Sequence, residues 1–226
     1  DEDSVGTTVL DLTGNIQHAL AGRNNIVNND DIFAMEIVAK EGYNKGDVDF
    51  KAQLTNIASA NPDVLFIPVY YEDVALIAVQ ASEVGVKAKL LGGDGWDGSD
   101  TTGLAAQFDD CYFTNHYSSE DTAPAVQNFV QKYTEKYGTE SLNACAALYY
   151  DAMYMLVQAA ENAGGTDTAS LVKGMTGMSF TGVGGDITLD ENGDAIKSIA
   201  INTYVDGAVK WTETLGSDGK VVSKAE

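Results

Sequence analysis

The sequence predicts an α/β fold: a doubly wound, flavodoxin-like layer built on a parallel sheet. Three observations carry this. Short apolar, β-branched runs alternate with stretches of helical spacing from the start of the chain. Runs such as Val64–Val69 are too short for a helix and read as strands buried on both faces. With 44% hydrophobic residues in 226, the chain has the material for a real core.

Taken in order, Thr7–Leu12 reads as strand one and Asn15–Val27 as a helix. Glu36–Ala39 reads as strand two. Asp47 and Asp49 then precede a helix over Phe50–Ala60, with Leu54 and Ile57 inward, and act as caps. Val64–Val69 is strand three. Asp73–Gly85 is a helix whose stripe is Val74, Ile77, Ala78 and Ala81. Lys89–Leu91 and Cys111–Thr114 are strands four and five. Right-handed crossovers between parallel strands give the doubly wound layer. After Tyr117 the pattern changes. Helices are expected over Pro124–Tyr137, Leu142–Ala163 and Ala169–Met175. Phe180–Ile187 and Ile196–Tyr204 read as strands around a turn at Asp190–Asp194, and Asp206-Gly207 turns a hairpin into Val209–Thr214.

Composition excludes several functions. Lys and Arg number 13 against 34 Asp and Glu, a formal net charge of −21. Phosphate backbones require dense Lys and Arg, so the charge argues strongly against a nucleic-acid partner, and an anionic membrane surface is disfavoured. The acidity reads as a solvated, self-repelling surface. Cys111 and Cys145 are too few for a disulfide framework and read as two buried thiols. His18 and His116 show no metal-ligand spacing, and no apolar run reaches the length of a membrane span. No phosphate-binding glycine loop follows strand one, so no nucleotide or other cofactor is implied. No signal peptide opens the chain at Asp1, which fits an intracellular protein or a mature, trimmed one.

The stretch Asn61–Asp97 concentrates chemistry where open α/β sheets bind ligands, outside the carboxyl ends of strands. Tyr70 and Tyr71 follow strand three, and Leu91 leads into GGDG, which sets Asp94 after strand four. On an extended strand Tyr70 and Tyr71 point to opposite sides, so one of the two faces the site. Trp96 stands beside it as wall or packing. The bland readings are a turn-capping Asp94 and a core Tyr70. Asp94 and Asp97 are paired carboxylates of the kind acid–base catalysis uses, yet no nucleophile–His pair or metal cluster accompanies them. His116 reads as a structural hydrogen-bonding residue.

Six segments agree in order with one family: Gly42–Leu54, Asn61–Asp73, Leu90–Asp97, Tyr112–Ser118, Ala147–Gly164 and Gly185–Tyr204. On these the chain resembles the substrate-binding proteins of branched-chain amino-acid ABC transporters, with the type I periplasmic binding fold. The resemblance implies two lobes around a ligand cleft: residues 1–142 plus 198–226 as the second lobe, and 143–197 as a partial first lobe. It implies no enzymatic activity, an extracytoplasmic setting, a small amino-acid zwitterion as ligand and an importer permease as partner. Carried over, Tyr70 and Asp94 are the binding residues, with Tyr71 and Trp96 as neighbours. The carboxylate takes the ligand ammonium and the tyrosine packs over it. Alternatives are a trimmed lobe that binds nothing and a sensor ectodomain of the same fold. Most of the first lobe is not found in the sequence, so the apolar stripe of Leu142–Ala163 is expected to repack, or to drive a homodimer or domain swap.

Overall fold

The computed structural model describes residues 8–9, 37–99, 103–139 and 141–225. The expected helix Asn15–Val27 lies outside them, as does most of Thr7–Leu12. Two compact units are present, the first ending at Cys111 and the second beginning at Tyr112.

In the first unit, β1 (Thr8–Val9) pairs antiparallel with β2 (Glu41–Gly42). Strand two is therefore displaced from the expected Glu36–Ala39, of which residues 37–39 carry no strand. Helix α1 (Lys51–Ala60) buries Leu54 and Ile57 as its spacing predicts. The two aspartates before it divide the work: Asp49 Oδ1 accepts from the Lys51 amide, whereas Asp47 Oδ2 closes a turn onto the Asn44 amide. A buried Gln80 does more, accepting from the Phe50 amide at 2.7 Å and donating to Val48 O at 2.9 Å. The helix ends at left-handed Asn61, just before Pro62.

Strand β3 (Val64–Ile67) pairs in parallel with β4 (Lys89–Gly92), in the register Val64↔Lys89 through Ile67↔Gly92. Between them runs α2 (Tyr71–Glu83), which buries Val74, Ile77, Ala78 and Ala81, the stripe predicted from spacing. Each buried Val, Leu or Ile contributes roughly 1.5–3 kcal/mol, and Leu65 and Ile67 of β3 are buried as well.

The strand pairs described within the second unit are antiparallel. Strand β5 (Tyr112–Asn115) pairs with β9 (Ile199–Val205), β9 with β10 (Ala208–Leu215), and β10 with β11 (Val221–Lys224). The β9–β10 hairpin turns at Asp206 and Gly207, both at positive φ, the conformation an Asp-Gly pair supports. The fold is thus mixed α/β, with parallel pairing at β3–β4 and antiparallel pairing around β5, β9 and β10.

A separate antiparallel sheet is formed by β6 (Ser179–Gly182), β7 (Gly185–Leu189) and β8 (Ala195–Lys197). Hence the run Ile196–Tyr204 is not one strand; it changes sheet at Ser198. The Asp190–Asp194 turn forms as expected, with Asp190 Oδ1 accepting from the amides of Asn192 and Asp194. Three helices complete this unit: α3 (Pro124–Tyr137), α4 (Ala144–Ala163) and α5 (Thr168–Met175). Asn143 caps α4 and Asp167 caps α5 by accepting amides three residues on. Gly174 lets α5 approach α4 closely, since a Cβ there would lie 2.0 Å from Ala159 O. Cys111 is buried, but Cys145, expected inside, is exposed on the first turn of α4.

Candidate functional site

The end of β3 decides where the tyrosines go. Pro68 has no amide to donate, so the ladder stops at Ile67. The Val69 amide then folds back onto Ile67 O at 2.9 Å, a three-residue turn. Tyr70 is the extended residue before α2, and Tyr71 is already in its first turn. The two rings therefore diverge through a change from loop to helix, not by strand alternation. Tyr70 is 74% exposed and Tyr71 49%. Glu72 and Asp73 sit at the positive end of α2, where acidic groups are favoured.

Strand β4 leads into Gly93 and then a 3₁₀ turn over Asp94–Trp96. Asp94 is exposed. Trp96 is fully buried; its indole N–H donates to Ile67 O at 2.8 Å and its ring meets Phe108 edge-on at 6.0 Å. The indole lies against Gly92, where a Cβ would stand 2.1 Å from the ring. Gly95 closes the other side: a Cβ there would lie 2.7 Å from Val69 O and 3.3 Å from the Tyr70 Cα and Cδ1. Two glycines and one buried tryptophan thus fix the turn that carries Asp94, and Gly95 of that turn lies against Tyr70.

The sequence-predicted residues separate into three groups. Tyr70 and the Asp94 turn are brought together. Tyr71 stands one residue along, on the helix. Trp96 is interior and supports the turn from beneath, so its ring offers no surface to a ligand. Sequence reasoning missed Tyr43, whose buried hydroxyl donates to Asp73 Oδ2 at 2.7 Å. Burial, then that hydrogen bond to a carboxylate, pushes the Tyr43 phenol well above its ordinary range. The bond ties Asp73 down and pins the start of α2 beside Tyr70.

Chemically, an exposed carboxylate beside an exposed ring suits a small cation. The carboxylate offers a charge-assisted hydrogen bond and the ring face a cation–π contact. Among the described residues no group of three or more His, Cys, Asp and Glu side chains could hold a metal. His116 is engaged through its backbone: its amide donates to Asn115 Oδ1 and its carbonyl accepts from Lys197 Nζ at 2.7 Å. Among the described residues no helix is long and apolar enough to cross a membrane.

Residues 32–208 match the family model described as periplasmic binding protein. The Leu/Ile/Val-binding protein homolog 1 of Brucella suis is 29% identical over 181 residues, covering 80% of this chain and 46% of that protein. Among solved structures, a leucine-binding protein of Thermotoga maritima is 37% identical with a TM-score of 0.67, over 78% of this chain and 51% of that one. The branched-chain amino acid transporter substrate binding protein of Streptococcus pneumoniae, in complex with isoleucine, is 26% identical with a TM-score of 0.65, over 80% and 50% respectively. The chain spans about half the length of the proteins it matches.

Proposed function

The chain belongs to the periplasmic binding protein family, and from that premise we propose that it forms one wall of an amino-acid cleft in an ABC importer. The family is one of extracytoplasmic solute-binding proteins and not of enzymes. Its relatives carry names of Leu, Ile and Val binding. One observation carries the reading: Tyr70 stands exposed against the glycine turn that presents Asp94. Asp94 takes the ligand's α-ammonium and Tyr70 covers it, worth roughly 0.5–2 kcal/mol for the ring. Tyr71 borders the same opening. Trp96 serves as a positioning residue that holds the Asp94 turn.

Residues 143–197 supply a portion of the opposite lobe in this reading, with 1–142 and 198–226 as the binding lobe. The sheet β6–β7–β8 is separate from the others, with a core of Ala159, Met178, Ile187 and Leu189, while a second cluster joins Tyr117, Val126 and Phe129 to Ala144, Ala147 and Val183 across the 142/143 boundary. The importer's permease is the partner that a loaded cleft engages.

The test is calorimetry on the chain with Leu, Ile, Val, Thr and Ala, each beside its N-acetylated form. Free amino acids bind and acetylated ones do not, because acetylation removes the ammonium. Asp94→Asn, which removes the charge at an exposed position, weakens binding by about tenfold or more. Equal binding of free and acetylated ligands, or of wild type and Asp94→Asn, removes Asp94 from the role.

A further inference from the structure

The segment from Tyr43 to Phe50 is tied to α2 at both ends. At one end the Tyr43 hydroxyl donates to Asp73 Oδ2 at 2.7 Å. At the other, the Phe50 amide donates to Gln80 Oε1 and Gln80 Nε2 donates to Val48 O. Asp73 and Gln80 are two helical turns apart in sequence, so they lie on one face of α2. The Tyr43 ring is itself fixed: it is 8% exposed and meets Phe50 edge-on at 4.9 Å.

The Asp73 end is the one that reaches the ligand-binding tyrosine. The Asp73 amide donates to Tyr70 O at 3.1 Å. Tyr70 also meets the Asp94 turn, since a Cβ on Gly95 would lie 3.3 Å from its Cα. Contacts thus run in an unbroken series from Tyr43 through Asp73 and Tyr70 to the turn that carries Asp94.

We propose, on the reading of Tyr70 and Asp94 as the ligand-binding pair, that Tyr43 is a positioning residue for amino-acid binding: through Asp73 it sets the backbone of Tyr70 against the Asp94 turn. The sheet ladder ends at Ile67, so the backbone carrying Tyr70 has left the strand before it enters α2. The Tyr70 ring is mostly exposed and has little packing to aim it. Its direction is therefore set by its backbone, and the first turn of α2 supplies the support. The tie is a strong one, because a hydroxyl bonded to a carboxylate is held more firmly than one bonded to a neutral acceptor. A ring already in place need not be ordered when the ligand arrives, and that saving appears as affinity. The Gln80 tie is the natural control. It is buried and makes two hydrogen bonds, yet it lies ten residues beyond Tyr70, about 15 Å along the helix at 1.5 Å per residue.

Calorimetry with whichever of Leu, Ile, Val, Thr and Ala binds most tightly tests this, with urea unfolding of the same samples. Tyr43→Phe keeps the ring and removes the hydroxyl; affinity should fall about three- to tenfold, the worth of one hydrogen bond. Gln80→Met should lower the urea midpoint at least as much while leaving affinity within about twofold of wild type. In a Tyr70→Ala background Tyr43→Phe should cost no further affinity, because the group it positions is gone. Asp73→Asn keeps an acceptor for the hydroxyl and should bind as wild type does, whereas Asp73→Ala should match Tyr43→Phe. Tyr43→Phe binding as tightly as wild type overturns the proposal. So does an equal loss of affinity in Gln80→Met, a full further loss in the Tyr70→Ala background, or a loss in Asp73→Asn as large as in Asp73→Ala. Wild type without affinity for any of the five amino acids overturns the cleft reading itself, and the role of Tyr43 with it.

Discussion

Tyr70 and Tyr149 are equally exposed, and each opens a tyrosine pair, yet they stand in different surroundings. Tyr70 leaves a broken strand and stands against a glycine turn carrying a carboxylate. Tyr149 lies on a regular helix among other uncharged rings. Exposure alone therefore does not make a ligand site. What separates the two is the neighbouring chemistry and how rigidly it is held. The first region holds a charge in place with buried tryptophan and glycine. The second keeps its one central charge, Asp151, inside.

The largest expected effect is on the second region's buried charge. Asp151 Oδ1 and Oδ2 accept from the amides of Val183 and Gly184 at 2.9 and 2.7 Å. Asp151→Ala leaves both buried amides without a partner, and a loss of about 3–5 kcal/mol is expected in urea unfolding. Asp151→Asn keeps one acceptor and should cost less. An unchanged midpoint for the alanine variant would show that the amides find water, and that this region is held by packing alone.

Next in size is the first region's support. Gly92→Ala drives a methyl into the Trp96 indole, and about 2–4 kcal/mol of destabilisation follows, because a packed interior cannot give way by that distance. Loss of the ordered Trp96 environment should appear as a fluorescence change. Amino-acid binding should fall with it, since the turn carrying Asp94 loses its floor.

These two variants also mark what the sequence could reveal. The stripe Val74, Ile77, Ala78 and Ala81 was legible because helical periodicity is local. So was the pairing of strands three and four through a helix. The position of Tyr71 was not, because the stop at Pro68 and the turn onto Ile67 O moved the start of α2 two residues earlier than the apolar spacing suggested. Trp96 read as an even choice between wall and packing, since only the three-dimensional approach of Gly92 buries it. The role of Asp151 was not legible, because its partner amides lie more than thirty residues away. Cys145 was misjudged because α4 is apolar on both its covered and uncovered sides, so apolar surroundings in sequence did not mean burial.

A smaller effect follows from Lys197, which faces the Asp151 side of the same region. Burial lowers its ammonium pKa from the ordinary 10.5, against the opposing attraction of Asp151. The folded state thus releases this proton at lower pH than the unfolded chain. In the window between the lowered value and 10.5 the unfolded state binds more protons, so this group makes stability rise with pH, and the gain is lost as pH falls through the folded value. Lys197→Met should flatten that part of the pH–stability curve relative to wild type. An identical slope in both proteins would mean that the ammonium is solvated in solution.

The smallest stability effects belong to the tyrosines themselves, and they decide the comparison. Tyr70→Ala and Tyr149→Ala each remove a mostly exposed ring, so both should leave unfolding within about 0.5 kcal/mol of wild type. Their functional consequences should not cross. Tyr70→Ala should lower amino-acid affinity by roughly 0.5–2 kcal/mol, the contribution of a ring over the ammonium. Tyr149→Ala should leave that affinity unchanged. A loss of affinity in Tyr149→Ala equal to that in Tyr70→Ala would show that the distinction between a held charge and an uncharged face does not explain what each tyrosine does.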